Sequence, residues 1–222
     1  MNLPWVPPVR PPVLCPGCHH RGVFYSLKKL NINVSGDIGC YTLGVLPPYS
    51  AMDTCVCMGA SIGVGLGLRH VLPPEQSRRV VSVIGDSTFM HSGLTGLAEM
   101  VYNPPPDGHV LMILDNGTTA MTGQQEHPGT GRDLQHGSAG KIVFEDVARA
   151  MGIGYVVTVD PMASDVSMDQ VITDALASQQ LAVIVARRPC ILAAPKIRQY
   201  EKAIEVKKSA CERACATACE SE

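Results

Sequence analysis

The sequence predicts an α/β fold: a parallel sheet covered by helices on both faces. Three observations carry this. The runs "RRVVSVIGD" (78–86), "HVLMILDN" (109–116), "YVVTVD" (155–160) and "LAVIVARR" (181–188) are continuously rich in Val, Ile and Leu. Strands buried on both faces read this way, whereas half-exposed strands alternate. Helical segments separate them, which is how parallel strands are connected. Two of the runs also end in Gly-Asp or Asp-Asn, the hard oxygen ligands expected where a ligand binds beyond strand ends.

The elements follow in order. Residues 1–13 contain five prolines and predict an extended arm. The compact domain is placed at 14–195. Within it, "CMGASIGVGLGLRHVL" (57–72) predicts a helix whose glycines permit close backbone approach. "SGLTGLAEMVYN" (92–103) is an amphipathic helix stopped by Pro104. "FEDVARAMG" (144–152) is a helix closed by Gly152, and "MDQVITDALAS" (168–178) is another. Residues 196–222 predict a charged, helical tail.

Composition narrows the function classes. The 222 residues carry a net charge of -2, which argues against nucleic acid or an anionic membrane as partner. The charged fraction of 17% is low and suits a surface partly covered by another chain. There is no run of about 18 apolar residues to span a membrane. The start, "MNLPWVPPVRPP", lacks the apolar core of a secretory signal, so a cytoplasmic location is expected. In that compartment nine cysteines point to metal binding before structural disulfides.

The strand ends suggest a specific chemistry. Asp86 follows one strand and Asn116 follows another, thirty positions later. The helix entered through Ser87 to Gly93 offers free backbone N–H groups, which favour a diphosphate. A carboxylate, an amide oxygen, a backbone carbonyl and diphosphate oxygens make an octahedral set for Mg²⁺. Either pair alone, Gly85-Asp86 or Asn116-Gly117, reads as a simple turn. Both together at successive strand ends favour the diphosphate.

"GDS" followed about thirty residues later by "DN" is similar to the thiamine-diphosphate motif, GDG followed by NN. "LCPGCHHRG", "GDIGCYTLG", "MGASIGVGLG", "IGDSTFMHSG" and "LDNGTTAMTGQQEHPGTG" extend the likeness. Over roughly residues 13–195 the chain resembles the thiamine-diphosphate domain of the indolepyruvate:ferredoxin oxidoreductase alpha (large) subunits, members of the 2-oxoacid:ferredoxin oxidoreductase family. The resemblance implies that Asp86, the Asn116 side chain and the Thr118 carbonyl hold Mg²⁺. It implies that Gly85 and Ser87 contact the diphosphate, that Met58, Gly59 and Ala60 lie against the cofactor, and that Thr122, Gly123 and Gln124 line the site. GDS in place of GDG, and Asn116-Gly117 in place of Asn-Asn, remove no metal ligand.

The resemblance also orders the cysteines. The relatives hold a [4Fe-4S] cluster on a CxxC pair, a third cysteine about two dozen residues on and a distant fourth. Cys15, Cys18, Cys40 and Cys190 match that order, and four thiolates are what such a cluster takes. A four-thiolate zinc site would use the same residues, and spacing alone does not choose between them. Cys55 and Cys57 are expected in the core as small apolar groups. Cys211, Cys215 and Cys219 recur every four residues, which on a helix puts them on one face.

Among the histidines, His91 is a candidate for cofactor contact or for helix capping, and His127 for facing substrate. With Gln124 these are the candidate catalytic residues. His19 and His20 are candidates for tuning the cluster or for a plain core role. Lys28-Lys29 and Arg187-Arg188 are expected to be solvated or interface charges.

The implied activity is oxidative decarboxylation of a 2-oxo acid, of aryl pyruvate or indolepyruvate type. Coenzyme A accepts the acyl group and ferredoxin the electrons. The activating glutamate of thiamine enzymes belongs to a second, pyrimidine-binding domain, so a partner subunit is expected to supply it. The alternatives are a non-oxidative thiamine-dependent decarboxylase subunit and a non-enzymatic iron–sulfur or zinc module on the same fold.

Overall fold

The computed structural model describes residues 11–193. Most of the N-terminal arm, and the tail with Cys211, Cys215 and Cys219, lie outside the described residues.

Six parallel strands form one sheet in the order β2-β1-β3-β4-β6-β5. They are β1 (Asn33–Gly36), β2 (Thr54–Cys55), β3 (Val80–Gly85), β4 (His109–Asp115), β5 (Tyr155–Val159) and β6 (Leu181–Arg187). The four strands predicted from apolar runs are β3 to β6. β3 and β4 are buried along their whole length.

Alternate residues of each strand feed opposite cores. From β4, Val110, Met112 and Leu114 enter one core with α1 (His20–Lys29) and α7 (Met168–Ala177). Leu111 and Ile113 enter the other with α2 (Ala60–Val71), α5 (Leu94–Tyr102) and α6 (Phe144–Ala150). Phe89 and Phe144 meet edge to face in that second core, with ring centroids 5.8 Å apart. Both faces are thus covered, as the sequence predicts.

Three short elements complete the chain: α3 (Pro74–Ser77), α4 (Asp86–Thr88) and a 3₁₀ segment over Cys40–Val45. A π-helical turn, Phe89–Gly93, joins α4 to α5. The helix predicted from residue 92 therefore belongs to a helical run that already begins at Asp86, directly at the end of β3.

The connections place the site. β1 leads outward to β2, while β3 leads the other way to β4. The chain's direction reverses between β1 and β3, and a crevice forms beyond their carboxyl ends. Register sets the depth of each loop. Gly85 pairs with Leu114, so Asp86 and Asp115 emerge side by side.

Candidate functional site

Three segments leave the strand ends together: 37–41 after β1, 85–88 around the end of β3 and 116–122 after β4. They line a cavity of about 110 Å³. Its walls include Cys40, Tyr41, Met58, Asp86, Asn116 and Thr118. Close backbone approach is needed here: a Cβ on Gly85 would lie 2.6 Å from the Tyr41 ring.

Asp86 is buried, and the backbone holds its carboxylate. Oδ1 accepts from Ser87 N–H at 2.8 Å. Oδ2 accepts from Asn116 N–H at 3.1 Å and Gly117 N–H at 2.8 Å. The result is an oriented, buried carboxylate at a cavity wall, the kind of donor a divalent cation takes. Asn116 Oδ1 accepts from Thr118 N–H at 3.0 Å, which turns the amide oxygen of Asn116 and the Thr118 backbone into one tight loop. Ser87 and Thr119 bridge the two strand ends through their hydroxyls at 2.6 Å. This donor set fits Mg²⁺ with a diphosphate.

Other expected residues are placed unevenly. Gly85, Ser87, Met58 and Thr122 line this cavity. Gly59 and Ala60 stand at the entry to α2. Gln124 lines the neighbouring cavity. Gly123 is a left-handed turn residue with φ 127°. His91 is exposed on the π-turn and lines neither cavity. His127 does not face open space: it is buried, with Nε2 3.2 Å from Asp86 Oδ2. Its Nδ1 accepts from Gly129 N–H at 3.2 Å, which leaves the ring proton on Nε2; that nitrogen is near Asp86 but makes no hydrogen bond among the described residues.

A second cavity of about 80 Å³ adjoins the first. Cys15, Cys18, Cys40 and Cys190 all line it, with His19, His20 and Gln124. The CxxC segment is a turn in which Cys18 N–H donates to Cys15 O at 3.1 Å. Cys190 N–H donates to Asn116 O at 2.8 Å, so the distant fourth cysteine is pinned to the metal loop. All four are free, half-buried thiols. Burial pushes the Cys18 thiol up to about 11, and Cys15, Cys40 and Cys190 add to the rise. Four cysteines from three parts of the chain around one pocket fit a four-thiolate metal cluster.

Two cysteine expectations are overturned. Cys55 and Cys57 are exposed, not core. Cys55 ends a two-residue edge strand, and Cys57 lies in the turn before α2, so neither has a layer above it. Arg187 is not simply solvated either. It donates to Asp115 Oδ2 at 2.6 Å and to both oxygens of Glu145 at 2.7 and 3.0 Å. Lys29 pairs with Asp169, and Arg188 with Asp160 at 2.8 Å.

Sequence reasoning missed Asp37. It is fully buried after β1. Both its oxygens accept from Gly59 N–H at 2.9 Å, and Oδ2 also from Ser61 N–H at 3.2 Å. Its carbonyl accepts from the Thr42 hydroxyl at 2.8 Å. Asp37 therefore ties the segment carrying Cys40 to the one carrying Met58. The Gly-Asp pair in "SGDIGC" was the available signal, the same pair that marks Asp86.

The family described as "Thiamine pyrophosphate enzyme, C-terminal TPP binding domain" matches residues 37–186. A protein of Archaeoglobus fulgidus named indolepyruvate oxidoreductase subunit IorA is 44% identical over 201 residues, covering 87% of this chain and 31% of that protein. The Pyrococcus horikoshii protein of the same name is 44% identical over 200 residues, covering 84% of this chain and 30% of that one. The chain thus spans about a third of the length of these relatives. In fold it is similar to a solved 2-oxoglutarate:ferredoxin oxidoreductase from Magnetococcus marinus, with 2-oxoglutarate, coenzyme A and succinyl-CoA bound. The TM-score is 0.66 at 18% identity, over 82% of this chain and 65% of that one.

Proposed function

Because this chain belongs to the thiamine pyrophosphate enzyme family, as a C-terminal TPP binding domain, we propose that it is the cofactor-binding part of a 2-oxoacid:ferredoxin oxidoreductase of the indolepyruvate type. Its substrate is an aryl 2-oxo acid, decarboxylated oxidatively, with coenzyme A as acyl acceptor and ferredoxin as electron acceptor. Thiamine diphosphate supplies the electron sink for decarboxylation, and a [4Fe-4S] cluster the exit for electrons.

The chain's own residues divide the work. Asp86, Asn116 Oδ1 and the Thr118 carbonyl hold Mg²⁺ and orient the diphosphate. Ser87 and Thr88, at the start of the helical run, line the same cavity, with the Ser87 N–H already donated to Asp86 Oδ1. Cys15, Cys18, Cys40 and Cys190 hold the cluster. A partner subunit closes the thiamine cavity and supplies the activating glutamate. One feature supports that partner: Ile38, Met58 and Met121 on the cavity wall are large and exposed.

One observation carries the proposal: the two cavities share Cys40, Asn116 and Ala120. A metal-thiolate pocket that touches the diphosphate pocket serves electron transfer; a non-oxidative decarboxylase has no use for it. The test is anaerobic iron, sulfide and thiamine content of the complex co-expressed with its partner. About four irons per chain are expected, as one [4Fe-4S] cluster requires, and Cys18→Ser should remove them. Unchanged iron in that variant would sink the ligand assignment. Thiamine-dependent decarboxylation by an iron-free complex would favour the non-oxidative alternative.

A further inference from the structure

We propose that His19 is a positioning residue of the electron exit: its Nε2–H donates a hydrogen bond to the cluster held by Cys15, Cys18, Cys40 and Cys190. This rests on the cluster reading above and adds a tuning group to it. His19 directly follows Cys18 and is 3% exposed. It lines the cavity that all four cysteines line. Its Nε2 is buried and has no hydrogen-bond partner among the described residues. The residue sits at the N-cap of α1 but makes no side-chain capping bond there, so the ring is not spent on the helix.

The surroundings hold the ring in place. His20 stacks at a tilt against it, with centroids 4.1 Å apart and planes at 57°. His20 in turn meets Tyr41 edge-on at 6.0 Å, and Tyr41 walls the thiamine cavity. The charged groups acting on His19 are Asp86, Arg188 and Asp160. His19 thus lines the cysteine pocket within electrostatic reach of Asp86. A buried polar atom without a partner is unfavourable, and cluster sulfur is the acceptor this cavity would present. A donor to cluster sulfur stabilises the reduced, more negative state and raises the midpoint potential.

The experiment uses the anaerobic holo-complex. Iron is counted first. A wild-type complex without iron overturns the cluster reading, and this inference with it. With iron present, the midpoint potential is read by EPR-monitored titration in wild type, His19→Leu and His19→Gln. A lower potential in His19→Leu, restored toward wild type by His19→Gln, supports the hydrogen bond, because glutamine returns an N–H at similar reach. Full iron with an unchanged potential in His19→Leu overturns it. If His19→Leu loses iron, pulsed EPR on reduced wild type with ring-¹⁵N histidine decides. A weak ¹⁵N coupling that vanishes in His19→Gln supports the proposal, and a coupling absent from wild type or persisting in His19→Gln overturns it.

Discussion

The imidazole of His127 sits 3.2 Å from the Asp86 carboxylate, with both side chains buried. Gly129 N–H occupies Nδ1, so the proton is on Nε2, the nitrogen near Asp86, which makes no hydrogen bond among the described residues. Outer groups of this kind orient a ligating carboxylate. His127→Ala should weaken Mg²⁺-dependent thiamine diphosphate binding by roughly 10–100-fold, read by calorimetry. His127→Gln, which keeps a donor, should lose less. Equal and unchanged affinities would reduce His127 to a packing residue.

Asp37 sits on the other wall. Asp37→Ala removes the acceptor for Gly59 and Ser61 N–H. Each stranded amide costs about 1–3 kcal/mol, so a stability loss of about 2 kcal/mol or more is expected in urea unfolding. Thiamine diphosphate affinity should fall too, because Met58 loses its anchor. A variant with parental stability would contradict the hydrogen-bond assignment.

The Arg187 network has a pH signature. Burial opposes ionisation of Glu145, but hydrogen bonds from Arg187 and Thr158 outweigh it and hold its carboxyl down at about 2, from an ordinary 4.5. A depressed folded value stabilises above the unfolded one and is lost as pH falls through the folded one. The contribution is therefore full above about 4.5 and fades toward 2. Arg187→Met should cost about 2 kcal/mol near neutral pH, below the ~3–5 of a fully buried pair, since the arginine is partly solvated. That difference should shrink as pH drops through the window, measured by denaturant midpoints. A gap independent of pH would rule out the ion pair as its source.

The six described cysteines should separate cleanly. Cys55→Ser and Cys57→Ser are expected to keep the iron content of the parent complex. Cys40→Ser and Cys190→Ser are expected to lose it. In the cluster-free chain, Cys55 and Cys57 should react with maleimide ahead of Cys18, whose thiol burial holds near 11. Iron loss in Cys57→Ser would redraw the ligand set.

Strands β3 to β6 could be read directly because continuous Val/Ile runs have one physical explanation, burial on both faces. β1 and β2 could not. "NVSG" and "TC" are too short to show a period. Helix α1 also lacks a start signal, since His19 caps it without a side-chain bond. Asp86 and Asn116 were legible because both stand at strand ends whose strands were legible. Asp37 was hidden because its strand was.

By itself the sequence determined the sheet's character, the placing of Asp86 and Asn116 at its strand ends and a CxxC pair whose partner cysteines only a family resemblance ordered. These are local properties, written in runs and short motifs. Only the tertiary structure decided which cysteines meet. Cys190 lies 150 positions beyond Cys40, and β6 brings it back beside Asn116, while Cys55 and Cys57, far nearer in sequence to Cys40, end at an edge. It also turned His127 from a group expected to face substrate into a neighbour of Asp86, and left His19 Nε2 without a partner among the described residues at the cysteine pocket. The reason is physical: a parallel sheet gathers the carboxyl ends of all its strands at one edge, and no sequence spacing records which loops that edge brings together.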